Sequence, residues 1–120
     1  MSRTNNDQNP PGNAQRIWRV ADLPQNRKPA QFEVANQDSN ASVVTLDKRQ
    51  RQAVELLMTA PVFCSSPVRI GDTVHILKRE IGLKVETRFY LGDRMTGAGD
   101  YGVYFLVSQV RHLPEMGMAA

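Results

Sequence analysis

The spacing of apolar residues changes at Gly82, and this change limits the folds open to the chain more than any other feature of the sequence. Before Gly82 the apolar positions recur at intervals of three and four residues, as on one face of a helix: Val74, Leu77 and Ile81. Residues 83–89 alternate apolar and polar instead, and residues 101–110 are rich in β-branched and aromatic side chains, as strands are. The sequence therefore predicts a helix, ended by Gly82 in the left-handed conformation, and then a β-hairpin with a long glycine-rich loop.

A helix is also predicted over residues 46–59, because its apolar positions share one face: Leu46, Ala53, Val54, Leu57 and Met58. We expect Thr45 to cap its N-terminus. Ala60 and Pro61 are expected to end it, since the residue before a proline avoids the helical conformation. The opposite face is predicted to be solvated and carries Lys48, Arg49, Arg51, Gln52 and Glu55.

Two further helical segments are predicted before the hairpin. A serine directly before a proline is typical of a helix start, so Ser66 predicts a short helix over residues 66–70. Asp72 is the next capping candidate and opens a third helix over residues 73–81. The alternative is a single helix interrupted at Gly71.

The beginning of the chain is rich in Asn, Gln, Pro and Ser and holds few apolar clusters, which predicts an arm outside the folded domain. Residues 1–15 are expected to be disordered, and residues 16–35 to contain short strands at most. Trp18 and Phe32 either pack loosely on the domain or belong to a docking peptide for a partner protein or a second copy of the chain. The predicted divisions are an arm at residues 1–44, a domain at 45–113 and a tail at 114–120.

Three helices followed by a hairpin form an α+β fold, the small winged helix–turn–helix, in which the hairpin is the wing. A hairpin cannot bury its apolar face alone, so it must pack against the helices. This arrangement leaves the polar face of the third helix and the tip of the hairpin exposed.

Residues 49–113 also resemble the small helix–turn–helix, or winged-helix, domain of uncharacterised phage and prophage proteins. The matching segments are residues 51–57 (RQAVELL) leading to residues 61–62 (PV), residues 74–87 (VHILKREIGLKVET) and residues 103–106 (VYFL). The resemblance implies a winged-helix fold. The chain departs from the pattern before Asp72, where it has too few residues for a full second helix.

A recognition helix contacts base edges with residues near its start, and basic residues around it contact phosphates. Arg79 is suited to a forked contact with guanine. Ile76 either touches a thymine methyl group or marks a protein interface, for which Trp18 and Phe32 are further candidates. The alternative to DNA recognition is that the outward surface of the third helix is simply exposed to solvent and binds nothing. The candidate contacts to double-stranded DNA are Lys48, Arg49, Arg51, Arg69, Thr73, His75, Lys78, Arg79, Lys84, Arg88 and Arg94.

Catalytic and metal-binding functions are not expected. The sequence has one cysteine, Cys64, and two histidines, too few and too scattered for a metal site or a nucleophile–base pair. We expect Cys64 to be a small buried residue, and we expect neither an enzyme nor a cofactor. The chain has no long apolar run and no export signal, which predicts a cytoplasmic protein that does not enter the membrane.

Two functions remain open. The first is a DNA-binding protein, as a small transcriptional regulator or phage accessory factor, and the second is a protein-interaction module on the same fold that does not bind DNA. The placement of Lys and Arg on the first helix, the third helix and the wing favours the first. The net charge of only +3 favours the second, because DNA binding then depends on how the charges are arranged.

Overall fold

The part of the chain that the structure describes contains two α-helices, a one-turn 3₁₀ helix (Val20–Asp22) and two three-stranded antiparallel sheets. The structure is a computed structural model and describes residues 11–36, 40–65, 67–90 and 101–114. In chain order the elements are β1 (Ala30–Ala35), β2 (Ser42–Leu46), α1 (Lys48–Thr59), β3 (Val62–Phe63), α2 (Ile70–Ile81), β4 (Val85–Tyr90), β5 (Tyr101–Leu106) and β6 (Gln109–His112). The strand order is β2-β1-β6 in the first sheet and β3-β5-β4 in the second.

The first sheet is built around β1, in which every second residue is buried: Ala30, Phe32 and Val34. Phe32 is fully enclosed, and the ring of His112 on β6 meets it edge-on with the centroids 4.6 Å apart. Because β1 is paired with β2 on one side and β6 on the other, it is the central strand of this sheet, and its buried residues belong to the hydrophobic core. The prediction that Phe32 packs loosely in an arm is therefore wrong, and the predicted boundary after residue 44 falls inside β2.

The segment before β1 packs along α1. It contributes two residues to the core, Ile17 and Leu23. The side-chain amide of Gln15 donates to the carbonyls of Leu56, at 2.8 Å, and Ala60, at 3.0 Å, at the C-terminal end of α1. The predicted disorder is therefore wrong for Gln15, while residues 1–10 lie outside the described part of the chain.

The helix α1 begins at Lys48 rather than at Leu46. The residues up to Leu46 pair with β1 as a strand, so Asp47 and not Thr45 is the N-cap. The helix ends ahead of Pro61, as predicted.

Two residues on the predicted solvated face of α1 are buried, Arg51 and Gln52. Arg51 donates to the carboxylate of Glu55 at 2.9 Å and to the carbonyl of Lys28 at 2.8 Å. The side-chain amide of Gln52 donates to the carbonyl of Pro24 at 2.6 Å. The face is therefore not solvated at these two positions, because the chain leading into β1 lies across them.

The helix α2 runs without interruption from Ile70 through Gly71 and ends at Gly82, which has a φ of 69° as predicted for a left-handed C-terminal residue. In the described residues between β3 and α2 there is no second helix, and Ser66 lies outside them. The three-helix winged-helix prediction is therefore wrong, although the fold class is α+β. The early start adds Ile70 to the buried face of α2, which also holds Thr73, Val74 and Leu77.

The strands β4 and β5 pair antiparallel, as the alternation predicts. Val85 and Val103 are buried, but Phe89, which the alternation of residues 83–89 places on the same side of β4 as Val85, is 55% exposed. The cross-strand neighbour of Phe89 is Gly102, over which its ring lies. A glycine has no side chain to enclose the ring, so its outer surface remains in water.

The two sheets are joined where β5 runs into β6. Ser108 lies in this connection and is buried. Its hydroxyl accepts the backbone N–H of Lys84 at 2.8 Å and donates to the side-chain carbonyl of Asn36. The Asn36 amide donates in turn to the carbonyl of Gly82 at 3.1 Å. These hydrogen bonds tie the ends of β1 and α2 to the connection between the sheets.

Candidate nucleic-acid interface

The predicted DNA contacts on α2 and β4 do not form a uniformly basic face. Thr73, predicted to point outward, is buried. Arg79 pairs with Glu80 at 3.3 Å and Arg88 with Glu86 at 3.1 Å, so each arginine has a carboxylate beside it. Of the others, His75, Lys78 and Lys84 are exposed, Ile76 is half-buried and Arg94 lies outside the described residues.

Basic side chains collect instead where β1 begins and β2 ends. Ala30 lies opposite Leu46 in this antiparallel pair, which places Arg27 and Lys28, just before β1, beside Lys48 at the start of α1. The backbone N–H of Lys48 donates to the carbonyl of Arg27 at 2.9 Å. All three basic side chains are exposed, and none forms an ion pair with another described residue.

The start of α2 lies at the same end of the molecule. The guanidinium of Arg49 donates to the carbonyl of Val68 at 3.2 Å, and Arg69 follows as the N-cap of α2. The N-termini of both helices therefore lie within the reach of one arginine side chain, and each carries a partial positive charge. The residues at this position are termed the basic end: Arg27, Lys28, Lys48, Arg49 and Arg69.

Two carboxylates accompany the basic end. Asp72 pairs with Arg69 at 2.8 Å, but the two side chains are 64% and 77% exposed, so solvent weakens the pair. Asp47 is the N-cap of α1, and its side chain accepts no capping hydrogen bond. The first backbone N–H groups of α1 therefore receive no hydrogen bond from the Asp47 side chain.

Two residues of the basic end adopt the left-handed conformation, Lys48 with a φ of 51° and Arg69 with a φ of 58°. For residues other than glycine this conformation costs roughly 1–2 kcal/mol. In addition, Nε of Arg49 is buried without a hydrogen-bond partner among the described residues. Backbone strain and an unpaired donor thus coincide where the two helices begin.

Sequence reasoning found Lys48, Arg49 and Arg69 but missed Arg27 and Lys28. The available signal was the alternation of residues 31–34 followed by a turn-like Asn-rich stretch, which is typical of a hairpin. Such a hairpin carries the chain back beside its own start, and this brings the Arg27–Lys28 pair next to α1.

Two other features of the surface lie away from the basic end, an exposed apolar pair and a groove. Trp18 and Val20 are 60% and 53% exposed on the segment before β1, and the guanidinium of Arg16 lies 3.8 Å from the centre of the Phe63 ring. At the opposite end of β1 from the basic end, a groove of about 320 Å³ is lined by Lys78, Gly82, Leu83, Lys84, Val85, Glu86 and Val107.

Cys64 was predicted to be buried, but it is only half-buried. Burial raises the pKa of its thiol, and a hydrogen bond with Tyr104 opposes that rise. A thiol held protonated in this way is a weak nucleophile. Among the described residues, no three His, Cys, Asp or Glu side chains are grouped to hold a metal ion.

Comparison with known proteins finds no matching family model, no similar curated protein and no similar solved structure. The resemblance to phage helix–turn–helix sequences therefore stays a prediction. Within the described ranges, neither helix is long and apolar enough to cross a membrane.

Proposed function

We propose that this protein binds double-stranded DNA through phosphate contacts at the basic end. The observation that carries the proposal is the group of three exposed cations, Arg27, Lys28 and Lys48, that no described carboxylate pairs with, beside the N-termini of both helices. Backbone N–H groups at helix starts and flexible basic side chains are the groups with which proteins hold phosphate.

The arrangement of charged residues favours contact with the DNA backbone over recognition of the base sequence. Arg79, the residue predicted to read guanine, is paired with Glu80, and Thr73 is buried. A protein that holds phosphates in this way binds many DNA sequences alike and does so more weakly as salt rises. A cytoplasmic location and a role as a regulator or accessory factor on DNA agree with this proposal.

The experiment is a salt titration of binding to a random labelled duplex, followed by fluorescence anisotropy. Each phosphate contact contributes about 0.9 to the slope of log affinity against log salt concentration. We expect Lys28→Ala and Lys48→Ala each to lower that slope by about one contact. Lys78→Ala is the matched control, because it removes the same charge at the far end of β1 and is expected to leave the slope unchanged.

Two results would contradict the proposal. One is a folded protein that fails to bind any duplex at low salt. The other is a Lys78→Ala variant whose salt dependence of binding falls as much as that of Lys28→Ala. That result would indicate that DNA contacts the face formed by α2 and β4.

A second candidate function is protein binding through the exposed Trp18 and Val20. This pair lies on the ordered segment before β1, and its exposure of 60% and 53% is the observation in its favour. Tryptophan is enriched at the centres of protein interfaces. Absence of duplex binding by the folded protein would favour this second function.

A further inference from the structure

The strand β4 is the outer strand of the second sheet. It pairs with β5 on one side, and no other strand in the described part of the chain pairs with its second side. Just before β4, the carbonyl of Lys84 accepts the N–H of Val107 at 2.9 Å, so the backbone groups of Lys84 point toward β5. Successive residues of a strand alternate in this respect. The N–H and C=O groups of Val85, Thr87 and Phe89 therefore point to the open edge.

The sequence of β4 is complementary to itself when it is reversed. Residues 85–89 read Val-Glu-Thr-Arg-Phe, with Thr87 at the centre. If two copies run antiparallel with Thr87 opposite Thr87, Glu86 of each copy lies opposite Arg88 of the other. Val85 then lies opposite Phe89. Opposite charges and apolar residues are the cross-strand pairs that stabilise a sheet.

The exposed side chains of β4 fit this pairing. Phe89 is 55% exposed, and an apolar residue from a second copy would cover it. Glu86 and Arg88 are 51% and 44% exposed and already form an ion pair at 3.1 Å within one chain. A guanidinium has five donors, so Arg88 can hold a second carboxylate without losing the first.

The other strands at sheet edges are not complementary in charge to a reversed copy of themselves. The strand β6 (Gln-Val-Arg-His) has no acidic residue to oppose Arg111, and β2 (Ser-Val-Val-Thr-Leu) has no charge at all. The strand β3 has only two residues, Val62 and Phe63. Among the described edges, charge complementarity with a second copy is thus confined to β4.

We infer that the protein forms a two-fold symmetric dimer in which the β4 strands of two copies pair antiparallel around Thr87. The two second sheets then become one six-stranded sheet with the order β3-β5-β4-β4-β5-β3. The residues that pair lie outside the basic end. Both basic ends of the dimer therefore remain exposed and take no part in the contact between the two copies.

Charge reversal tests the dimer. Glu86→Arg and Arg88→Glu each replace two attractive cross-strand pairs with two repulsive ones, so sedimentation equilibrium should show a dimer dissociation constant roughly ten- to thirtyfold higher than that of the wild type. The double variant carrying both changes restores both pairs and should dimerise as the wild type does. An equimolar mixture of the two single variants should form heterodimers, because one chain then carries arginine at both positions and the other carries glutamate at both.

Heterodimers in the mixture also show that the single variants are folded, and circular dichroism checks each chain. A wild type that remains monomeric from about 1 to several hundred micromolar would overturn the inference. Single variants that dimerise as tightly as the wild type would also overturn it. The same holds for a double variant whose dimer dissociation constant is as high as that of either single variant. Duplex binding by Lys48→Ala is a separate measurement, so failure of the dimer and failure of the DNA proposal are distinguishable.

Discussion

The two sheets of this molecule are assembled from different distances along the chain. In the second sheet β4 and β5 are consecutive strands, and their hairpin packs on helices that lie just before it in sequence. In the first sheet β1 pairs with β6, and Phe32 lies opposite His112, eighty residues later. The chain passes directly from β5 into β6, so the hairpin that completes one sheet also supplies the edge of the other. The segment that holds β1 is therefore a structural part of the folded unit.

Replacing Phe32 with alanine should have the largest effect on stability. Phe32 is fully buried in the first sheet, and removing a buried phenylalanine typically costs about 3–5 kcal/mol. We expect Phe32→Ala to lower the free energy of unfolding in urea by this amount, in a single transition. Val43→Ala is the control, because Val43 lies in the same sheet but is 57% exposed, and it should change stability by less than about 0.5 kcal/mol. A loss below about 1 kcal/mol for Phe32→Ala would mean that the first sheet is dispensable.

The same contrast explains what the sequence predicted. The β4–β5 pairing and the end of α2 at Gly82 depend on neighbouring residues, so local patterns predicted them. The first sheet was missed because the alternation around Phe32 covers four residues and its partner strands are remote or follow an Asn-rich turn. Without β1 there was no reason to place Arg27 and Lys28 beside Lys48, and the candidate site was found only in part.

The left-handed residues explain the other errors. Arg69 takes a φ of 58° just before α2, and the helix starts at Ile70, which joins its buried face. Nothing in the residue type of an arginine predicts this conformation, because only glycine adopts it freely. The predicted short helix depended on a later start of α2. Thr73 was placed outward wrongly, because it lies one helical turn before Leu77 and shares its buried side.

Removing the Ser108 hydroxyl should have an intermediate effect, located at the junction of the two sheets. Ser108→Ala leaves the Lys84 N–H and the Asn36 carbonyl without their partner in a buried place, and each loss of this kind costs about 1–3 kcal/mol at most. We expect the free energy of unfolding to fall by about 1–3 kcal/mol in total, because water can reach part of the site. Ser42→Ala, in the exposed part of β2, is the control and should be neutral. An unchanged stability for Ser108→Ala would show that the sheets are held together by apolar packing alone.

The smallest expected effect is a dependence on alkaline pH that arises in the second sheet, at Tyr104 on β5. Burial raises the pKa of Tyr104 to about 12, from 10.0, and the nearby charges of Cys64 and Asp72 act in the same direction. The folded chain therefore holds the phenolic proton more tightly than the unfolded chain does. The resulting stability is fully present below pH 10 and is lost as pH rises from 10 to about 12. We expect the free energy of unfolding to decline over that interval in the wild type and to decline less in Tyr104→Phe, as measured by urea unfolding at a series of pH values.

Tyr101→Phe is the matched control, since it also removes a phenol from β5 but leaves the contact between Tyr104 and Cys64 in place. If Tyr104→Phe keeps the full decline of the wild type, the alkaline loss comes from a group other than Tyr104.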